Sequence, residues 1–234
     1  MKIRLDKYLA DMTAAARSEV KKQIAKGLVK VDGQTVRRPE AKVDTKESIV
    51  CLEGTQISYT SFVYYMMNKP SGVVSATQDK SEKTVLSLME APRKDLFPAG
   101  RLDKDTEGLL LLTNDGGFAH RILSPKKHVD KIYYAKIEGP VTEADVDVFA
   151  EGMDIGEKRR TLPGKLKILF SGEISEIELT IQEGKFHQVK RMFQAIGKRV
   201  LYLKRIQMGN LRLDETLKPG EYRELTEEEK EKLC

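Results

Sequence analysis

Two cysteines among 234 residues, Cys51 and the terminal Cys234, are too few and too far apart for a disulfide framework or a cysteine metal cluster. No stretch approaches the roughly 20 consecutive apolar residues needed to cross a bilayer. The amino end, MKIRLDKYLADM, lacks the apolar core and small-residue cleavage site of a secretory leader. Internal repeats and low-complexity tracts are missing as well. These absences exclude a disulfide-stapled scaffold, a membrane-spanning bundle and a solenoid, and they point to a reducing, cytoplasmic setting. What remains is a globular composition, 40% hydrophobic and 33% charged, on a chain long enough for one or two domains with a proper core.

The net charge of +5 is unevenly spread: residues 1–60 carry 12 Lys/Arg against 8 Asp/Glu, whereas the remainder carries 29 against 28. A basic excess confined to one end favours an acidic partner such as nucleic acid there. In that segment Leu5, Tyr8, Leu9 and Met12 follow helical spacing. A second helix is predicted from near Ser18 to Gly27, with Val20, Ile24 and Leu28 on one face. A hairpin follows, Leu28–Val31 and Gln34–Val36 around the Asp32-Gly33 pair of a type I′ turn, and then a strand at Ile49–Leu52. This unit is complete by residue 55. The polar stretch Glu53–Ser61 suggests a linker, placed at 56–62, and residues 63–234 form the second domain.

The second domain opens with a strand, Val63–Met67, and the turn Lys69-Pro70-Ser71-Gly72. Leu109–Thr113 reads as a buried strand closed by Asn114-Asp115-Gly116-Gly117. Further strands are predicted at Lys131–Ile137, Lys165–Leu169, Glu176–Gln182 and Val200–Ile206. Thr142 with Asp145, and Thr226 with Glu229, have the spacing of capping boxes that open helices. Val189, Met192, Phe193 and Ile196 mark one more helix, ended by Gly197. Strands and helices alternate without a βαβ rhythm, so the fold class is α+β.

Arg4, Lys7, Arg17, Lys21, Lys22, Lys26 and Lys30 fall on the faces left over once the apolar stripes are buried. Such a surface binds phosphates or is simply a solvated helix face. The pattern RLDKYLA at 4–10, RSEVKKQIAKGLVKVDG at 17–33 and KV at 42–43 resembles the S4 domain. That family's two helices and hairpin present basic side chains to structured RNA, which implies Arg4, Lys7, Arg17, Lys21 and Lys22 as RNA contacts. Ala16 stands where the family often has a serine, so the second helix is expected to lack that cap.

The run GRLDKDTEGLLLLTNDG at 100–116 places Arg101, Asp103 and Asp105 ahead of an apolar strand. A carboxylate at the mouth of a buried strand suits catalysis, and a charged surface loop would read the same way. The run resembles the active-site signature of the RsuA-type pseudouridine synthases. KIYYA at 131–135, EGKFHQVKRMF at 183–193, NKPSGVVSA at 68–76 and LKPGEYREL at 217–225 also fit that family, in order. The resemblance implies a central mixed, largely antiparallel sheet flanked by helices.

It also implies catalytic roles: Asp103 as the essential carboxylate, Tyr133 packed on the target base, and Lys190 as the cation paired with Asp103. The carboxylate attacks the sugar, attacks the base or removes a sugar proton, and all three remain open. Arg101 is the candidate to fill the gap left by a flipped uridine, Arg191 a further RNA contact, and Gln188 an RNA contact or a brace for its helix. His187 is expected to pack or hydrogen-bond, and Asp105 to brace the loop. The expected activity is isomerisation of a uridine in 16S, small-subunit ribosomal RNA or an assembly intermediate, by a monomer without metal or other cofactor. The alternatives are a large-subunit (23S) enzyme of the same branch and a non-catalytic ribosome-assembly protein.

Overall fold

The computed structural model describes residues 1–13, 15–60, 62–90, 93–124 and 127–233. Ser61, in the expected linker, and Cys234 lie outside the described residues. The chain divides into two units, Met1–Val63 with Met89–Leu96, and Tyr64–Leu88 with Phe97–Cys234.

The first unit begins with β1 (Lys2–Arg4), α1 (Leu5–Met12) and α2 (Arg17–Ala25). Leu5, Tyr8 and Leu9 on α1, and Val20 and Ile24 on α2, recur every three or four residues, so each helix buries one apolar stripe. Ala16 supplies no side-chain cap to α2, as its type dictates. The hairpin is β2 (Val29–Val31) and β3 (Gln34–Thr35), joined through Asp32 and Gly33 at φ 50° and 82°, the left-handed pair that a type I′ turn requires. β4 (Lys42–Asp44) pairs with β1. β5 (Val50–Leu52) and β6 (Thr55–Ile57) extend the hairpin into a sheet of order β3-β2-β5-β6.

Two expectations fail in this unit. Leu28 is not on the buried helix face; it is 37% exposed, because Gly27 at φ 79° has already turned the chain away. Thr55–Ile57 is not linker but β6, because Glu53 and Gly54, at φ 50° and 86°, make a second tight turn that returns the chain along β5. The Tyr8 hydroxyl then donates to the Ile57 carbonyl at 2.7 Å, and the Tyr59 ring lies 5.0 Å from that of Tyr8.

The second unit is built on β7 (Tyr64–Lys69), β8 (Phe97–Ala99), β9 (Glu107–Thr113), β10 (Lys131–Glu138), β11 (Lys165–Phe170), β12 (Ile174–Ile181), β13 (Val200–Met208), β14 (Leu211–Arg212) and β15 (Tyr222–Glu224). They form one sheet along the path β11-β12-β10-β13-β9-β7-β15, with β14 on β13 and β8 on β9. β9 and β13 run parallel and the other pairings are antiparallel, so the sheet is mixed and largely antiparallel. Gly108 sits at the parallel junction with φ 99°, and a Cβ there would stand 2.2 Å from the Arg205 carbonyl oxygen. Only glycine fits.

Among the described residues four α-helices flank the sheet: α3 (Gly116–Leu123), α4 (Glu143–Glu151), α5 (Gln188–Ala195) and α6 (Glu227–Glu231). Both capping boxes form, on α4 and α6. α3 was not expected, because Asn114-Asp115-Gly116-Gly117 reads as a turn. The Asp115 carboxylate accepts from the Phe118 amide at 2.9 Å, which caps a helix whose apolar face, Phe118, Ala119 and Ile122, is buried. That face joins Met66, Leu109, Leu111, Met208 and Leu225 in the core.

Candidate active site

The loop from Gly100 to Thr106 enters β9, and the Thr106 amide donates to the Asp103 carbonyl at 3.1 Å, closing a tight turn. Its flanks are held from the 68–76 segment. Ser75 is buried, and its hydroxyl both donates to the Leu102 carbonyl (2.9 Å) and accepts from the Leu102 amide (3.0 Å). Lys69, fully buried at the end of β7, donates through Nζ to the carbonyls of Pro70 (3.0 Å), Lys104 (3.2 Å) and Thr106 (2.9 Å). Burial brings the Lys69 pKa down to about 8, against the opposing pull of Asp105 and Asp103. Lys69 and Ser75 thus fix the backbone on both sides of Asp103. Sequence reasoning assigned neither a role, although a lysine closing the buried strand YYMMNK after its apolar Met66-Met67 pair was the available signal.

Asp103 itself is partly open, its side chain 27% exposed. Lys190, in the first turns of α5, brings Nζ to 3.3 Å from Asp103 Oδ2 and to 2.5 Å from Asp105 Oδ1. The expected ion pair forms, but it is shared, and Asp105 makes the shorter contact. Burial raises the Asp105 pKa, and the Lys190 hydrogen bond and charge outweigh it, leaving the carboxyl below its ordinary range. His187 Nε2 stands 3.7 Å from Asp103 Oδ1. His187 precedes α5 in a left-handed conformation, φ 49°, and its ring stacks on Phe186.

Tyr133 is buried and lines the recess that holds Asp103, together with Arg101, Thr106, His187 and Leu203. Side-chain alternation sends Tyr134 to the opposite face of β10, where its ring lies 6.1 Å from Tyr202; burial and Glu176 push its pKa up to about 12. Arg101 is exposed on the recess and has no hydrogen-bond or ion-pair partner among the described residues. Thr106 Oγ1 is buried there, also without a partner among the described residues.

Other expected contacts are engaged within the fold. Gln188 is buried: its Oε1 accepts from the Lys185 amide (2.8 Å) and its Nε2 donates to Glu183 (3.0 Å), which braces the start of α5. Arg191 donates to Glu157 (2.7 Å), to the Phe186 carbonyl (3.1 Å) and to the Ile155 carbonyl. In the first unit Arg4 and Arg17 both grip the buried carboxylate of Asp6, and Lys7 pairs with Asp11 at 2.6 Å. Lys21 and Lys22 are exposed, with no ion-pair partner among the described residues. No group of three or more metal-ligating side chains occurs among the described residues, and no described helix is long and apolar enough to cross a membrane.

Comparison with known proteins matches residues 63–195 to the RNA pseudouridylate synthase family and residues 3–49 to the S4 domain. An uncharacterized RNA pseudouridine synthase of Bacillus subtilis, YtzG, is 48% identical over 97% of this chain and 96% of its own length. Ribosomal small subunit pseudouridine synthase A of Vibrio cholerae is 43% identical over 97% of each. A crystal structure of a pseudouridylate synthase superposes with a TM-score of 0.70 at 41% identity, covering 99% of this chain and 100% of that one.

Proposed function

The chain belongs to the RNA pseudouridylate synthase family, and from that premise we propose that it isomerises one uridine of 16S, small-subunit ribosomal RNA, with Asp103 as the essential carboxylate. The observation that carries this reading is the recess itself: Asp103 and Tyr133 both line it, with the Lys190 ammonium 3.3 Å from the Asp103 carboxylate. The reaction breaks the C1′–N1 bond, turns the uracil and joins C1′ to C5. The C5 hydrogen leaves and N1 ends protonated, so atoms balance without added water or electrons.

Each residue then has a defined task. The uridine is flipped out of its stack, and Arg101 occupies the space it leaves. Tyr133 packs against the uracil and offers its hydroxyl for proton transfer. Asp103 reacts at the sugar or base, held in place by Lys190, which also neutralises its charge. The first unit, β6 included, serves as the RNA-binding module, with Lys21 and Lys22 taking phosphates, and the second unit as the catalytic domain. The small subunit is favoured by the name of the Vibrio cholerae relative, a ribosomal small subunit pseudouridine synthase, which matches this chain nearly end to end. Ribosome assembly then places the enzyme in the cytoplasm.

Sequencing-based maps of pseudouridine in both ribosomal RNAs, from cells with and without this protein, test the reading. Loss of one small-subunit site supports it. Loss of a large-subunit site, or no loss in either, overturns the substrate assignment.

A further inference from the structure

Phe186 is 72% exposed, more than any other described large hydrophobic side chain except Met1. It is nevertheless held in place. Arg191 donates to its carbonyl at 3.1 Å, and its ring stacks on His187 with centroids 3.8 Å apart and planes 19° from parallel. His187 in turn stands 3.7 Å from Asp103, so the two rings form a short stack running outward from the carboxylate. A pre-ordered aromatic face left in water beside a reacting centre is suited to a flat, apolar ligand surface.

The neighbouring loop adds charge. Lys185 Nζ donates to the carbonyls of Arg159 (3.0 Å) and Arg160 (2.9 Å), and the Leu162 amide donates to Glu183 at 2.9 Å. Arg191 reaches the same loop through Glu157 at 2.7 Å. Lys158 and Arg159 are thereby held exposed on the loop that is tied to Phe186. An aromatic platform beside cations is how single-stranded nucleic acid is held without reading its sequence.

We propose that Phe186, backed by His187, stacks on a nucleobase adjoining the target uridine, while Lys158 and Arg159 bind the phosphates of the same strand. This rests on the reading of Asp103 as the reacting carboxylate. The stack braces the strand where it must open, so that the flipped uridine leaves a supported neighbour.

The chain contains no tryptophan, so Phe186→Trp is a single-site fluorescent reporter. In the full-length protein carrying Asp103→Asn as well, titration with unmodified transcripts of both ribosomal RNAs should quench that fluorescence, with the midpoint of RNA binding. In the otherwise unaltered chain, Phe186→Ala should weaken RNA binding about tenfold while leaving its salt dependence unchanged, and Phe186→Tyr should restore it. Lys158→Ala with Arg159→Ala should instead flatten the slope of log affinity against log salt, by roughly 0.7 per phosphate contact. Melting temperatures should not move, because these side chains are exposed. Bound RNA with unchanged tryptophan emission, or wild-type affinity in Phe186→Ala, overturns the proposal. Failure of the Asp103 reading registers separately, as turnover by Asp103→Asn alone.

Discussion

Asp6 carries a stability prediction that also bears on RNA binding. Its carboxylate is fully buried in the first unit, with Arg4 Nε and Nη2 each 3.0 Å away and Arg17 Nη2 at 3.1 Å. Burial pushes the carboxyl pKa up, but the hydrogen bonds and charges of the two arginines outweigh it and set the value at about 2, against 3.8 ordinarily. The unfolded chain therefore takes up a proton at a higher pH than the folded one. The stabilisation is fully present above about pH 4 and lost as pH falls toward 2. Its size is about 2 kcal/mol at neutral pH, roughly half that at pH 3 and a few tenths at pH 2. Both guanidiniums are about half exposed, so salt should trim this figure further. Asp6→Asn, compared with wild type by urea unfolding followed by circular dichroism, should cost about 2 kcal/mol at pH 7 and progressively less toward pH 3. An equal cost at both pH values, or none at pH 7, would refute the argument. The same geometry engages Arg4 through Nε and Nη2 but Arg17 through Nη2 alone, which leaves Arg17 the more donors to offer RNA.

Lys69→Met removes a buried ammonium whose pKa is depressed to about 8. Above that value the folded wild type has shed a proton that the unfolded chain keeps until about 10.5. Wild-type stability should therefore rise relative to the variant between these values, by up to about 3 kcal/mol, and parallel urea profiles would contradict the assignment. Gly108→Ala drives a Cβ into the Arg205 carbonyl at the β9–β13 junction and should destabilise the second unit by several kcal/mol, about 3 or more. A melting temperature within a degree or so of wild type would show that the junction can give way.

Some of this was legible in the sequence because local chemistry decides it. The capping boxes at Thr142 and Thr226 form as their spacing predicts, and alternation along β10 separates Tyr133 from Tyr134. Where the reading failed, a competing local signal hid the answer. Two glycines masked α3, whose cap is the aspartate in front of them, and Glu53-Gly54 makes a hairpin turn that a polar stretch did not advertise. Long-range geometry was beyond local reading altogether. No residue pattern says that Lys69 will reach the carbonyls of Lys104 and Thr106, or that Lys190 will divide itself between Asp103 and Asp105. Gln188 was open between RNA contact and helix brace and Arg191 was expected at RNA, and no local pattern announced the hydrogen bonds that tie them to Glu183 and Glu157. Family resemblance supplied Asp103 as the residue to follow, and the local pattern alone left a charged surface loop equally open.

The most direct test of the account is tritium release from ribosomal RNA labelled at uridine C5, measured for wild type and Asp103→Asn in parallel with RNA binding. The side chain is partly exposed and Lys190 keeps Asp105 as a partner, so the variant should fold. Wild type should release tritium, and Asp103→Asn should release none above background while binding RNA within about twofold of wild type, a difference of roughly 0.4 kcal/mol. Turnover by the variant within about tenfold of wild type, equivalent to a barrier change under roughly 1.4 kcal/mol, would contradict the central role given to Asp103.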